Sequence, residues 1–276
     1  MDYLELTVHL SPRNTFADLF IDALGDAGFE SFVETEDGFQ AYIQETEYTE
    51  GLEKTTWVWQ MAGVAVDSSM KRIARVNWNT EWEKNFSPIL VDDAVYIFAP
   101  FHPAKTEIKH QIVIEPKMSF GTGHHQTTHQ MVQLTLKQNL VEKHVLDMGC
   151  GTGILAILAK QMGAKHVVAI DIDDWSVENS IENATRNHVQ METRLGGAEM
   201  LKEELFDMIL ANINLNILMA DMKAYAAVLA SKGTIIFSGF YHNDLETLQA
   251  EAAKTGLNFV ESSERKTWAA AVFIKE

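Results

Sequence analysis

Residues 145–171, VLDMGCGTGILAILAKQMGAKHVVAID, carry the strongest structural signal in this chain. A short apolar run ends in Asp147, a glycine-rich turn follows, and a second apolar run ends in Asp171. Between the turn and the second run, apolar residues recur at helical spacing. This order of strand, glycine turn, helix, strand and acid is typical of the first βαβ unit of a nucleotide-binding α/β domain. An acid in that place can accept hydrogen bonds from both hydroxyls of a ribose.

The spacing of the glycines distinguishes two classes of ligand. Gly149, Gly151 and Gly153 form the pattern G-x-G-x-G. A dinucleotide fingerprint would need its third glycine at position 154, where Ile154 stands. The observed pattern, with Asp147 two residues ahead, is usual in S-adenosylmethionine-dependent methyltransferases. It therefore favours a methyl donor as ligand, and a turn with a purely structural role is the alternative.

Composition narrows the class of protein and of partner. The 276 residues carry a formal net charge of -17, which opposes binding to a nucleic-acid backbone and favours a basic partner. Cys150 is the single cysteine, so an intramolecular disulfide is impossible and a reducing compartment is expected. No apolar run reaches the roughly 18 residues of a spanning helix, and the N-terminus lacks a signal-peptide pattern. We expect a cytoplasmic monomer without a membrane segment.

The N-terminal part, residues 1–77, predicts a small domain of its own. Its runs have the order β-α-β-β-α-β, which is the ferredoxin-like α+β arrangement. No nucleophile with a base, glycine loop or metal cluster is visible in it, so we interpret it as a docking module. The predicted elements are strands at residues 3–8, 30–34, 39–43 and 71–76, a helix around residues 16–24 and a weaker helix at residues 49–60. A polar, aromatic linker is predicted at residues 78–88, before a catalytic domain at residues 89–276.

The second informative stretch is PKMSFGTGHHQTT, residues 116–128. Its glycines predict a tight or mobile loop that could cover a bound donor, and Thr127 and Thr128 stand where a helix can begin. His124, His125 and His129 could suggest a metal. Because no carboxylate or cysteine completes a ligand set, we predict that this stretch binds no metal.

Beyond residue 171 the chain continues as a regular alternation of strands and helices. The run that ends in Asn212 reads as a buried strand. Because ligands of parallel α/β sheets bind beyond the carboxyl ends of the strands, we expect Asn212 to lie at the site with Gly149 and Asp171. The last two strands, predicted at residues 258–262 and 268–273, are joined by a short polar turn and must form an antiparallel hairpin. The fold class is therefore α/β, with a Rossmann-like sheet of seven strands of which one is reversed.

The chain resembles the bacterial methyltransferase family that modifies protein L11 of the large ribosomal subunit. The resemblance covers nearly the whole length, and His124, Gln126 and Asn214 depart from the family pattern. It is carried by Phe120-Gly121-Thr122-Gly123 with His125 and Thr127-Thr128, by residues 147–155 and 171–173, and by Ala211-Asn212-Ile213 with Leu218.

The resemblance implies a class I methyltransferase domain behind a ferredoxin-like domain, with S-adenosylmethionine as donor. It implies that the N-terminal domain holds L11 while lysine ε-amines are methylated; whether the α-amine is also methylated stays open. The donor contacts that it implies are Thr128, Gly149, Asp171 and Asn212. We add their neighbours Phe120, Gly121, Asp147 and Gly151 to the expected donor site.

Asn212 is the residue expected to position the acceptor amine. The sulfonium methyl is already activated, so the enzyme has mainly to orient a neutral amine, and no general base is predicted. Two alternatives remain open. Residues 212–215 could be a degenerate motif of an adenine N6-methyltransferase acting on nucleic acid, although the prolines and the stacking aromatic of that motif are missing. The chain could also be a non-catalytic regulator that binds S-adenosylmethionine.

Overall fold

The computed structural model describes residues 3–73, 86–117, 119–201 and 204–276, with Asn14 described by its backbone alone. The chain divides into two compact units, Met1–Asn85 and Phe86–Glu276. All but the last three residues of the predicted linker at 78–88 lie outside the described residues. The linker therefore stays a prediction.

The first unit is built on a four-stranded sheet. Its described elements have the sheet order β2-β3-β1-β4, in which β1 pairs antiparallel with both β3 and β4. This order agrees with the ferredoxin-like arrangement. The elements are β1 (Tyr3–Ser11), α1 (Arg13–Asp26), β2 (Ser31–Glu34), β3 (Gly38–Gln44) and β4 (Ala65–Ile73).

Alternation along β1 explains how this sheet forms a core. Every second residue from Leu6 to Leu10 is buried, and the residues between them are partly exposed. The buried face packs against Phe20 and Leu24 of α1 in one apolar cluster. Gly28 follows the helix at a φ of 102°, a left-handed conformation that favours glycine and ends the helix.

The predicted helix at residues 49–60 is only partly right. This stretch forms two short 3-10 helices, Leu52–Thr55 and Trp57–Gln60. Thr56 between them is extended, with φ -72° and ψ 144°, so no continuous α-helix can run through it. The predicted strand at residues 71–76 corresponds to β4, which begins earlier, and residues 74–76 lie outside the described part.

The second unit contains a three-stranded sheet of order β5-β6-β7 and a seven-stranded sheet. None of the helices in the described ranges is long and apolar enough to cross a bilayer. The strands are β5 (Ile89–Val91), β6 (Val95–Phe98), β7 (His110–Val113), β8 (His144–Met148), β9 (His166–Asp171), β10 (Glu192–Leu195), β11 (Phe206–Asn212), β12 (Leu229–Tyr241), β13 (Leu257–Arg265) and β14 (Trp268–Lys275). The α-helices are α2 (Gln126–Leu136), α3 (Ile154–Gln161), α4 (Asp174–Arg186), α5 (Leu215–Val228) and α6 (Leu245–Ala253).

The large sheet has the order β10-β9-β8-β11-β12-β14-β13. Neighbours from β10 to β12 are parallel, whereas β14 runs antiparallel to both β12 and β13. The predicted seven strands, one of them reversed, are therefore confirmed. Because β8 and β11 are adjacent at the centre, the order of connection reverses there, and a crevice opens beyond their carboxyl ends.

Burial on both faces explains why the central strands read as continuous apolar runs. Nearly all residues of β8, β9 and β11 are buried. One apolar cluster, which includes α2 and α3, covers one face of the sheet, and a second, which includes α5 and α6, covers the other. In a parallel sheet covered on both faces, polar side chains are found mainly at the ends of the strands.

Candidate functional site

A cavity of about 430 Å³ lies at the carboxyl ends of the parallel strands; we call it the strand-end cavity. Five of the predicted site residues line it: Phe120, Gly149, Gly151, Asp171 and Asn212. The other lining residues are Ser119, Met148, Ile172, Asp173, Trp175, Ser176, Gly196, Gly197, Ile213, Asn214, Ile217 and Asp221.

The glycine turn after β8 forms the floor of the strand-end cavity. Gly149, Gly151 and Gly153 have φ values of 69°, 52° and 77°, which only glycine adopts without strain. A Cβ atom on Gly149 would lie 2.1 Å from Cγ2 of Ile213, and one on Gly151 would lie 2.2 Å from the carbonyl oxygen of Phe120. Bare backbone therefore faces the cavity.

Asp171 ends β9 and is held by backbone amides. Its side chain is 8% exposed. Oδ2 accepts a hydrogen bond from the Gly151 N–H at 2.8 Å, and Oδ1 accepts one from the Asp173 N–H at 3.0 Å. Each carboxylate oxygen has a further lone pair. The carboxylate is thus oriented by the protein and can still accept hydrogen bonds from a ligand.

Asp147 lies in the sheet behind the glycine turn and does not line the strand-end cavity. Its Oδ2 accepts a hydrogen bond from the Ala156 N–H of α3 at 3.0 Å, and the residue is 1% exposed. Burial, with a smaller contribution from the charge of Asp171, raises the pKa of Asp147 to about 7, although the hydrogen bond from Ala156 opposes this shift. Asp147 therefore anchors α3 to the turn rather than contacting a ligand.

Asn212 ends β11, lines the strand-end cavity and has a side-chain oxygen without a hydrogen-bond partner among the described residues. Its Nδ2 atom donates to Oγ1 of Thr128 at 3.4 Å. Its buried Oδ1 atom has no hydrogen-bond partner among the described residues. Thr128 itself is fully buried in α2 and does not line the cavity. Thr128 thus orients the amide, and Oδ1 is left to accept a hydrogen bond from a ligand.

A row of aromatic side chains leads away from the strand-end cavity along the same edge of the sheet; we call it the aromatic rim. The rings of Phe120 and His125 are 5.2 Å apart, those of His125 and Trp268 are 4.8 Å apart, and those of Trp268 and Tyr241 are 4.3 Å apart. Phe120 is 53% exposed and Tyr241 is 51% exposed. The rim is therefore an open aromatic surface that joins the cavity.

Two of the three histidines considered for a metal, His125 and His124, make other side-chain contacts in the structure. His125 caps α2, because its Nδ1 accepts from the Thr127 N–H at 3.3 Å. Burial lowers the pKa of His125, which keeps the ring neutral and able to accept that bond. His124 hydrogen-bonds Oγ1 of Thr122 and the carbonyl oxygen of Ser87. Across the described part of the chain, no three His, Cys, Asp or Glu side chains are grouped to hold a metal.

Of the predicted site residues, Thr128, Gly121 and Asp147 lie behind the cavity wall. Several residues that line the cavity were not predicted from the sequence. Gly196 and Gly197 could have been found, because they form a glycine turn directly after a strand at the same sheet edge. Trp175 and Asp221 lie on helices and carry no local signal.

With this geometry in hand, comparison with known proteins identifies the family. A family model described as ribosomal protein L11 methyltransferase matches residues 17–276. The protein of that name from Phocaeicola vulgatus is 45% identical over 279 residues, covering 99% of each chain. That from Porphyromonas gingivalis is 41% identical and covers 99% of this chain and 98% of its own.

The chain belongs to the ribosomal protein L11 methyltransferase family. Among solved structures, the ribosomal protein L11 methylase of Lactobacillus delbrueckii subsp. bulgaricus superposes with a TM-score of 0.64 at 26% identity. That comparison covers 69% of this chain and 100% of that chain. A methyltransferase from Pyrococcus furiosus, at 18% identity and a TM-score of 0.52, shares the fold.

Membership of the ribosomal protein L11 methyltransferase family confirms the fold and the class of enzyme expected from the sequence. This chain is an S-adenosylmethionine-dependent methyltransferase with a class I sheet. The family favours a protein methyltransferase over the adenine methyltransferase and the non-catalytic regulator that the sequence had left open.

Proposed function

We propose that this protein transfers methyl groups from S-adenosylmethionine to lysine ε-amines of ribosomal protein L11, with both reactants meeting in the strand-end cavity. The observation that carries the proposal is that Asn212, whose buried Oδ1 has no partner among the described residues, lines the same cavity as the glycine turn and Asp171. A donor cradle and an amine acceptor group are thus combined at one sheet edge.

The donor half of the site consists of backbone and one carboxylate. The glycine turn allows a ligand to approach the main chain closely. Asp171 stands at the end of the second strand, where an acid can bind both ribose hydroxyls. Each hydrogen bond to a charged group contributes about 1.5–3 kcal/mol. These features support S-adenosylmethionine as the bound donor.

The acceptor half must present a neutral amine. A free lysine has a pKa of about 10.4 and is protonated at neutral pH. Desolvation beside the cationic sulfonium lowers that pKa, so the proton can leave to water. Asn212 then accepts a hydrogen bond from the amine without a charge that would stabilise the ammonium form. Orientation of the lone pair towards the methyl group is the main catalytic contribution, worth roughly 7–11 kcal/mol in favourable cases.

The aromatic rim gives the acceptor side chain an approach to Asn212. Ring faces attract ammonium groups through their quadrupole, by about 0.5–2 kcal/mol. A lysine that enters along Tyr241 and Trp268 can keep its proton until it reaches the cavity. The aromatic rim is therefore consistent with a methyl acceptor that approaches the cavity as a cation.

The first unit is proposed to recognise the protein substrate. Residues 3–73 contain 13 acidic and four basic side chains, so this unit is strongly negative. Proteins that bind ribosomal RNA have basic surfaces. Opposite charge raises the rate of encounter and orients the substrate. A folded substrate has to be oriented in this way before one of its lysines can enter the cavity.

Turnover on a mixed substrate pool tests the proposal. Purified enzyme is incubated with labelled S-adenosylmethionine, total ribosomal protein and ribosomal RNA taken from cells that lack the enzyme. We expect label in the lysines of L11. Label in adenine would support a nucleic-acid methyltransferase instead, and donor binding without any transfer would support a regulator.

A further inference from the structure

Thr152 lies between the glycine turn and residues 119–124, which we call the Phe120 segment. We infer that Thr152 is a positioning residue that fixes the Phe120 wall of the strand-end cavity and so sets donor affinity without touching the donor. The inference rests on the proposed function in one respect, that this cavity takes S-adenosylmethionine. Thr152 is fully buried and does not line the cavity.

All three polar groups of Thr152 are bonded, and two of them hold the Phe120 segment. Its backbone N–H donates to the carbonyl oxygen of Phe120 at 2.9 Å. Its Oγ1 donates to the carbonyl oxygen of Gly121 at 2.7 Å. Its own carbonyl oxygen accepts from Nδ2 of Asn183 at 3.0 Å. Of these three contacts, only the one made by the hydroxyl can be removed by substituting Thr152 itself.

Asn183 extends this connection to the base of the Phe120 segment. It is fully buried in α4, and its Oδ1 accepts from the Glu115 N–H at 2.9 Å. The chain before the segment and the turn beside it are thus held by one amide. Since Thr152 is fixed from α4, its hydroxyl acts as a rigid donor to Gly121.

Steric fit shows that the two backbones must lie close together. A Cβ on Gly151 would lie 2.2 Å from the Phe120 carbonyl oxygen, and one on Gly121 would lie 2.8 Å from Oγ1 of Thr152. Gly121 has a φ of 105°, a conformation that only glycine adopts readily. Each of the two backbones therefore has a glycine where it approaches the other.

The consequence for the donor follows from the position of Phe120. This half-exposed ring borders the strand-end cavity and continues into the aromatic rim through His125. Without the Thr152 hydroxyl, the buried carbonyl of Gly121 loses its donor, a change that costs free energy when the group stays dry. The Phe120 segment then gains freedom, and ordering it becomes part of the cost of binding the donor.

Two comparisons isolate the hydroxyl: Thr152→Val with the parent, and Thr152→Ala with Thr152→Ser. Thr152→Val has the shape of Thr without the hydroxyl, and Thr152→Ser retains the hydroxyl without the methyl. Thr152→Ala differs from Thr152→Ser by the hydroxyl alone and replaces Thr152→Val if that variant does not fold. The full-length chain is titrated calorimetrically with S-adenosylhomocysteine. We expect the Val and Ala variants to bind about tenfold more weakly, and the Ser variant to bind within about twofold of the parent.

A double-mutant cycle with Phe120→Ala tests whether Thr152 acts through the wall. In the Phe120→Ala background, loss of the hydroxyl should weaken binding by less than about twofold, since the ring that it positions is gone. Equal weakening in both backgrounds would show a general structural role and overturn the inference, as would unchanged affinity of the Val and Ala variants. If the parent itself does not bind the ligand, it is the proposed function that fails.

Discussion

At the scale of single residues, Asp171 has one role seen in the structure and one proposed for the donor. It holds the Gly151 and Asp173 amides and is proposed to bind the ribose. Asp171→Asn keeps an oxygen for one amide but removes the charge. We expect donor affinity to fall by about 1.5–3 kcal/mol, roughly ten- to a hundredfold.

Calorimetric titration with S-adenosylhomocysteine measures this change, and the melting temperature shows whether the turn remains intact. Asp174→Asn is the matched control, since Asp174 is exposed, lies three residues away and does not line the strand-end cavity. An Asp171→Asn variant that binds as tightly as the control would rule out the ribose contact.

Asn212→Asp tests the acceptor role. The new carboxylate would stabilise the lysine in its ammonium form and raise its pKa. We expect the single-turnover rate at neutral pH to fall at least about tenfold, the effect of one pKa unit, and to recover as the pH rises. Donor affinity should change much less.

Asn214→Asp is the control for charge. Asn214 also lines the cavity, and its side chain caps α5 by accepting from the Ile217 N–H, a role that Asp fills equally well. If Asn212→Asp and Asn214→Asp slow the reaction to the same extent, Asn212 is not beside the amine.

Asp147 predicts a pH dependence of stability. The pKa of Asp147 is raised from its ordinary value of 3.8 to about 7 in the folded protein, because burial opposes ionisation. The folded state therefore holds a proton that the unfolded state has released, and stability falls as the pH rises from about 4 to 7. Above about pH 7 Asp147 is ionised in both the folded and the unfolded state, and stability falls no further on its account.

Asp147→Asn cannot ionise and keeps an oxygen for the Ala156 N–H. Its melting temperature relative to the parent should rise between pH 5 and pH 8, by roughly 5 °C or more. Scanning calorimetry at several pH values measures this. A constant difference between variant and parent would show that Asp147 is ionised throughout.

At the scale of elements, the glycine turn and the loop after β11 fit together. A Cβ on Gly149 would collide with Ile213, the neighbour of Asn212. Gly149→Ala should therefore disturb both halves of the site and reduce donor affinity at least about a hundredfold, since strain and displaced backbone add.

Gly163→Ala is the matched control for Gly149→Ala. Gly163 has a φ of 97°, so it bears the same kind of backbone strain, but its nearest neighbour is Val141 at 3.4 Å, outside the strand-end cavity. Both variants are compared by melting temperature and by titration with S-adenosylhomocysteine. Equal donor affinity in the two would show that the contact with Ile213 is not needed.

The elements also show what the sequence could predict. The strand that ends in Asn212 could be located closely, because an apolar run between turn residues is a strong local signal. The 3-10 helices at residues 52–60 were missed, because an extended Thr56 has no distinctive signature.

Site residues that end a strand or are glycines in a turn could be predicted from the sequence. Residues whose role depends on partners distant in sequence could not. Thr128 meets Asn212 across 84 residues of sequence, and no local pattern reveals that pairing. Asp147 belongs to the same motif as the glycines, but its side chain points into the sheet, where α3 covers it.

At the scale of the whole molecule, the division into two units predicts a division of labour. The strand-end cavity is formed wholly by the second unit. A shortened chain that begins at residue 79 should bind S-adenosylmethionine with the affinity of the full chain. It should lose methylation of intact L11, because a folded substrate is no longer oriented.

Donor affinity and the initial rate on L11, measured for both chains, check this division. A lysine peptide at high concentration is the control, since it needs no docking and should react slowly with either chain. Full activity of the shortened chain on L11 would show that the first unit is not the recognition module.

The most direct test of the account is the mass of purified L11 after reaction with S-adenosylmethionine and either the parent enzyme or its Asn212→Ala variant. Both enzymes are first shown to bind S-adenosylhomocysteine. We expect methyl increments on lysine-containing peptides with the parent, and a rate at least about a hundredfold lower with the variant, in which the amine is no longer oriented. Equal methylation by the two enzymes, or an L11 mass that stays unchanged with the parent, would contradict it.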